Sequence, residues 1–346
     1  MNPGTQPRLA LLNNWLRSLA AMHKLELDSL QPASSDASFR RYFRVMGAGR
    51  SFIVMDAPPD HEDCGPFLHV TRLLRQAGIN VPAILAQDIP NGFLLISDLG
   101  HQTYYQAIQT GLSDQRLQTL YRDAIRALVQ MQHADTAGLP VYDRGRLMQE
   151  LDLFPQWYVQ RHCQARLDDN ERSVLHKAFT TLAEDNVKQA YVFVHRDFHS
   201  PNLMITDQSG GGPNPGIIDY QDALSGPLTY DVASLVMDAR TTWEEPQQLD
   251  WAIRYWEAAR KDGLPVPRDF AEFHRAYEWM SLQRNLRILG VFARLAHRDH
   301  KDDYLQHMPR VNAYIRQVAG RYGVFRPLLR LLDKLDKRQE LAGYTF

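Results

Sequence analysis

"VFVHRDFHSPN", residues 192–202, sets two histidines, an arginine, an aspartate and an asparagine directly behind an apolar run. The run "YVFV" (191–194) reads as a short buried strand, and "HRDFHSPN" as the loop leaving it. Downstream, "LMIT" and "GIIDYQD" flank the Gly/Pro cluster at 207–216, which predicts a β-hairpin. That cluster is not a dinucleotide fingerprint, because no helix follows it. A hairpin folds its own ends together, so Asp219 is expected to return toward Asn202. Asp197, Asn202 and Asp219 then offer two carboxylates and an amide at one spot, a set of hard oxygen ligands that suits Mg²⁺.

Working outward, the 346 residues suffice for one large or two modest domains. Hydrophobic content of 44%, charged content of 23% and a net charge of −1 describe an ordinary globular chain. Nothing in that balance points to nucleic acid or a membrane surface as partner, and no apolar run is long enough to span a bilayer. The first 22 residues read as an amphipathic helix with Leu12, Leu16 and Leu19 on one face, not as a signal peptide. Two cysteines, Cys64 and Cys163, have no metal-like spacing, and a reducing cytoplasm is the expected location. "RRYFRV" and "SFIVMD" read as strands joined by the turn "MGAG". A helix follows in "PFLHVTRLLRQAG", and then a hairpin, "PAILAQD" with "GFLLISDLG". From residue 115 onward the pattern is mostly helical. The expectation is an α+β chain, with a strand-rich lobe over residues 1–100 and a mainly helical lobe over 101–346.

The order His195-Arg196-Asp197, then Asn202, then Asp219, is the phosphoryl-transfer signature of kinases. With His199 and the later pair Tyr230-Asp231, it resembles the aminoglycoside phosphotransferase/choline kinase superfamily. "SDASFRRYFRV", "FIVMDAPP", "ELDLFPQWYV", "HRDFHSPNLM" and "QRNLRILGVFARLAHRD" are more narrowly similar to the anomeric N-acetylmuramate/N-acetylglucosamine kinases of cell-wall recycling. The resemblance implies a protein-kinase-like bilobal fold, ATP and Mg²⁺ as cofactors, and an amino sugar phosphorylated at C1. It implies that Asp197 orients or deprotonates the acceptor hydroxyl, and that Asn202 and Asp219 hold metal. It implies that Ser35, Asp36 and Ser38 lie in a hairpin covering the phosphates, and that Ile96, Asp98 and Leu99 lie where adenine is gripped. Other small-molecule kinases of the superfamily, acting on an aminoglycoside, choline or homoserine, stay open. So does a catalytically silent nucleotide-binding protein. Oligomeric state is not legible.

The chain departs from the kinase pattern in one respect. It has no lysine between Lys24 and Lys177, and the usual third-strand lysine position falls near Met55. Arg40, Arg41 and Arg44 are the cations available to meet phosphates, with Arg44 preferred. For the acceptor, Glu150, Asp152, Trp157 and Asp222 are candidates. Arg284 and Arg287 are either a solvated basic face or partners for an anionic acceptor. From Gly211 to the end, 18 acidic and 19 basic residues balance, which disfavours a polycationic acceptor. His195 and Asp231 read as structural.

Overall fold

The computed structural model describes residues 5–35, 39–206 and 212–343. The chain forms two compact units, Met1–Thr103 with Leu203–Asp222, and Tyr104–Asn202 with Ala223–Phe346.

The first unit is built on a five-stranded antiparallel sheet, made of β1 (Leu25–Ser35), β2 (Arg41–Gly47), β3 (Arg50–Asp56), β4 (Ile84–Asp88) and β5 (Phe93–Ser97). The strand order is β1-β2-β3-β5-β4. The register pairs Tyr42 with Met55, Phe43 with Val54, Arg44 with Ile53 and Val45 with Phe52. Since side chains alternate along a strand, Tyr42, Arg44, Ile53 and Met55 share one face, and Phe43, Val45, Phe52 and Val54 the other. The second face carries the core: Val45, Phe52, Val54, Phe93 and Leu95 pack with Leu12 and Leu16 of the helix Thr5–His23. Strand β1 was not anticipated. Its sequence, "LELDSLQPASS", holds a proline and two register shifts, which break the alternation that marks a strand. The expected hairpin forms but is short, Leu203–Met204 against Gly216–Ile217. It is tied into this unit by Ile217 N–H donating to the Asn80 carbonyl (2.8 Å) and by Tyr220, whose hydroxyl bonds Thr71 and whose ring stacks on Phe67.

The second unit is mainly helical and is organised on the helix Phe270–Asp299. Leu282, Leu286, Leu289, Ala293 and Ala296 give it an apolar stripe, but Gln283, Arg284 and Asn285 are buried as well, so no side of that stretch faces water. A β-carbon at Gly290 would lie 2.4 Å from the Leu153 carbonyl carbon, so only glycine allows this close approach. Gly290→Ala is expected to destabilise the chain by about 1–3 kcal/mol through overpacking, read from its urea unfolding midpoint. Among the described residues no helix is long and apolar enough to cross a membrane.

Candidate active site

In the second unit the strand Tyr191–Val194 delivers the chain into the loop that carries Asp197. Two buried carboxylates fix that loop through its backbone. Asp231 accepts from the amides of His195 (2.6 Å) and Arg196 (3.0 Å). Asp238 accepts from the amide of Ser200 (3.0 Å) and from its hydroxyl. Inside the loop, the Asp197 amide donates to His195 Nδ1 (3.2 Å), and the His199 amide to the Asp197 carbonyl (3.0 Å). The Asn202 side-chain nitrogen donates to that same carbonyl (2.9 Å). Asp231 sits in the first turn of the helix Tyr230–Val236, whose N-cap is Thr229, so it holds the loop and does not cap the helix. Burial pushes its carboxyl up to about 6, against the pull of His195. Arg196 holds φ of 77°, a left-handed conformation uncommon for a long side chain. The loop bonds over-determine that strained backbone at the residue before Asp197.

Around Asp197 lies a ring of charge assembled from distant parts of the sequence. Glu150, from the helix Arg144–Leu151, receives Arg196 Nη2 on Oε1 (2.6 Å), and Arg287 Nε (3.2 Å) and the Tyr142 hydroxyl on Oε2. Arg284 donates to Ser234 Oγ (2.7 Å) and lies over the Tyr230 ring, 5.0 Å from its centroid. Burial pushes the Asp197 carboxyl upward, but Arg287, with His199, Arg196 and Arg284, outweighs it and holds the group down at about 2. His199, beside Asp238 and Arg240, is pushed below its usual range by burial. Arg284 and Arg287 are therefore not a solvated face: Arg284 is 3% exposed and the Arg287 side chain 16%. Both oxygens of Glu150 are engaged by protein donors, so it acts on the arginines that flank Asp197.

Asp152, two residues on, is exposed. It shares with Met148, Arg161, Arg166 and His176 the lining of a groove of about 800 Å³. Met148 and Asp152 lie on one face of the helix, and Glu150 is on the opposite one. Trp157 is half-buried in the helical turn Phe154–His162, next to Tyr158, which stacks on Phe154.

In the first unit Ile96 and Leu99 are buried, while Asp98 holds Arg44. Arg44 Nε lies 2.5 Å from Asp98 Oδ2, and Arg44 Nη2 donates to the Gly100 carbonyl (2.9 Å). Two residues expected to meet different parts of a nucleotide thus bind each other. Arg41 pairs with the fully buried Asp56, which Arg8 also reaches. Arg40 pairs with Glu62. Asp219 is exposed, holds φ of 64° and accepts from Gln221 Nε2 (2.9 Å); Asp222 is exposed as well. Ser35 ends β1, and Asp36 and Ser38 lie outside the described residues.

Among the described residues no three His, Cys, Asp or Glu side chains cluster as a self-sufficient metal cage. Asn202 uses its amide nitrogen on the Asp197 carbonyl, which turns its oxygen elsewhere. An amide oxygen and single carboxylates suit a hard ion that takes its remaining ligands from phosphate and water.

The same architecture occurs in solved structures. An ADP-bound aminoglycoside phosphotransferase matches with a TM-score of 0.57 at 14% identity, over 88% of this chain and 97% of that one. A choline kinase from Streptococcus pneumoniae matches at 0.59 and 14%, over 89% and 99%. The antiparallel sheet with a mostly helical remainder is the protein-kinase-like fold of these enzymes. The profile of the APH phosphotransferase enzyme family matches residues 29–273, and the chain belongs to that family and is a phosphotransferase. The N-acetylmuramate/N-acetylglucosamine kinase of Pseudomonas aeruginosa is 46% identical over 312 residues, 90% of each chain. A protein of the same name from Neisseria meningitidis is 42% identical over 338 residues, 97% of this chain and 98% of that one.

Proposed function

We propose that the chain transfers a phosphoryl group from ATP to the anomeric C1 hydroxyl of N-acetylmuramate or N-acetylglucosamine. The product is the sugar 1-phosphate, and its place is peptidoglycan recycling in the cytoplasm. The observation that carries this reading is the loop geometry: Asp197 rides on backbone fixed to the buried Asp231 and Asp238, and the arginines around it keep its carboxylate charged. A charged carboxylate there can orient a hydroxyl, and an anomeric hydroxyl, more acidic than an ordinary alcohol, gives up its proton to it more readily. The names of the two curated relatives support the amino-sugar acceptor. The two cysteines, both free and buried, are compatible with a reducing compartment.

In this reading Asp197 orients the hydroxyl and receives its proton as the bond to phosphorus forms. Arg287, Arg196 and Arg284 keep Asp197 charged. Asn202 and Asp219 hold Mg²⁺, which when bound neutralises charge on the phosphates. Ile96 and Leu99 border the adenine, and the segment with Ser35, Asp36 and Ser38 covers the phosphates. Phosphorus NMR of the product made from N-acetylmuramate tests the proposal. A C1 phosphate couples to the single anomeric proton, whereas a C6 phosphate couples to two. A C6 product, or transfer only to a polycationic or quaternary-amine acceptor, overturns it.

A further inference from the structure

We infer that Arg40, steadied by Glu62, replaces the missing third-strand lysine as the cation that meets the nucleotide's phosphates. In protein kinases that lysine is on the third strand and pairs with a glutamate of the next helix. Here the corresponding position falls near Met55, which is buried and neutral. Three arginines of the neighbouring segment are alternatives, and register and partners separate them.

Arg41 is opposite Asp56 in the ladder, and both belong to the sheet face that carries Val45, Val54 and the helix Thr5–His23. Its charge is directed to Asp56, away from the Met55 face. Arg44 shares the Met55 face, but it is bound by Asp98 and the Gly100 carbonyl, just past the end of β5. That is the end where adenine is expected. Arg40 immediately precedes β2, at the end of the ladder away from Asp98.

Glu62 supplies the counter-charge. Arg40 Nη2 lies 3.0 Å from Glu62 Oε2, with the two side chains only 10% and 13% exposed. The other oxygen, Glu62 Oε1, accepts from the Phe39 amide (3.2 Å), so one carboxylate holds both the arginine and the backbone next to it. Tyr42, Glu62 and Asp222 all act on the Arg40 charge. Glu62 comes three residues before the helix Gly65–Gln76, not from within it. The ion pair is thus rebuilt from neighbouring positions: an arginine just before the second strand in place of a lysine from the third, and an acid from the loop in place of one from the helix. A planar guanidinium binds phosphate oxygens in pairs, which suits a diphosphate better than a point charge does.

The assignment rests on the ATP-dependent reading above, but not on the identity of the acceptor. Its test is titration calorimetry with ATP, ADP and adenosine, with Mg²⁺ and without sugar. Arg40→Ala is expected to weaken ATP and ADP about 10- to 100-fold, the loss of a hydrogen-bonded charge, and to leave adenosine unchanged. Arg40→Lys should recover part of the loss and keep the fold, and Glu62→Gln should weaken the same two ligands less. In Arg44→Ala the ratio of ATP to adenosine affinity should stay that of the unaltered chain. An unchanged ratio in Arg40→Ala, or a ratio that falls in Arg44→Ala instead, overturns the inference. If the unaltered chain binds no ATP, the ATP-dependent reading fails and this assignment with it. If it binds ATP but phosphorylates no amino sugar, only the acceptor is wrong.

Discussion

Asp197→Asn is expected to lower turnover about a thousandfold while leaving the fold and ATP affinity close to those of the unaltered chain. The substitution keeps the side chain's size and removes its charge. The loop does not depend on that charge, because its geometry is set by backbone bonds to Asp231, Asp238 and His195. The measurement is steady-state kinetics beside ATP calorimetry; loss of both activity and ATP binding would mean that the loop itself had collapsed. A pH series adds a second readout. The folded Asp197 carboxyl titrates at about 2, below the unfolded value of about 3.9. Its charge therefore adds stability above the unfolded value, and that stability is lost as pH falls through the folded one. Turnover should show no acid limb from this group between about pH 4 and 8. The stabilities of the variant and the unaltered chain should draw together as pH falls from about 4 to about 2.

Glu150→Ala should be the most damaging change to stability, at about 3 kcal/mol. It leaves Arg196 and Arg287, each mostly buried, with no shared carboxylate and in mutual repulsion. It also leaves the Tyr142 hydroxyl without its acceptor. Glu150→Gln should cost less, because the amide oxygen still accepts. Adding Arg287→Met to Glu150→Ala should restore part of the loss, since removing both members of a buried pair costs less than removing one. Denaturant titration of the three variants checks the order, and a double variant weaker than Glu150→Ala would contradict the ion-pair account.

The contrast between what the residues announced and what they hid has a physical basis. The loop at 195–202 was legible because its chemistry is local: a strand, a tight polar loop and a hairpin turn fall within some thirty residues. The pairs Arg41–Asp56 and Arg44–Asp98 were not, because each joins positions that meet only once the sheet is in register. Arg284 and Arg287 show where periodicity fails. An arginine between apolar residues has the same spacing whether it meets water or a buried partner far along the chain: Arg287 meets Glu150 and Arg284 meets Ser234.

The helix Phe270–Asp299 also carries a boundary. The family model matches residues 29–273, so its last matched residue falls in the first turn of this helix, and Arg284 and Arg287 lie beyond it. Arg196, which also acts on Asp197, lies inside the matched stretch. The charge around the aspartate thus draws on two separate segments, so a change in this helix can retune that charge while the loop stays as it is.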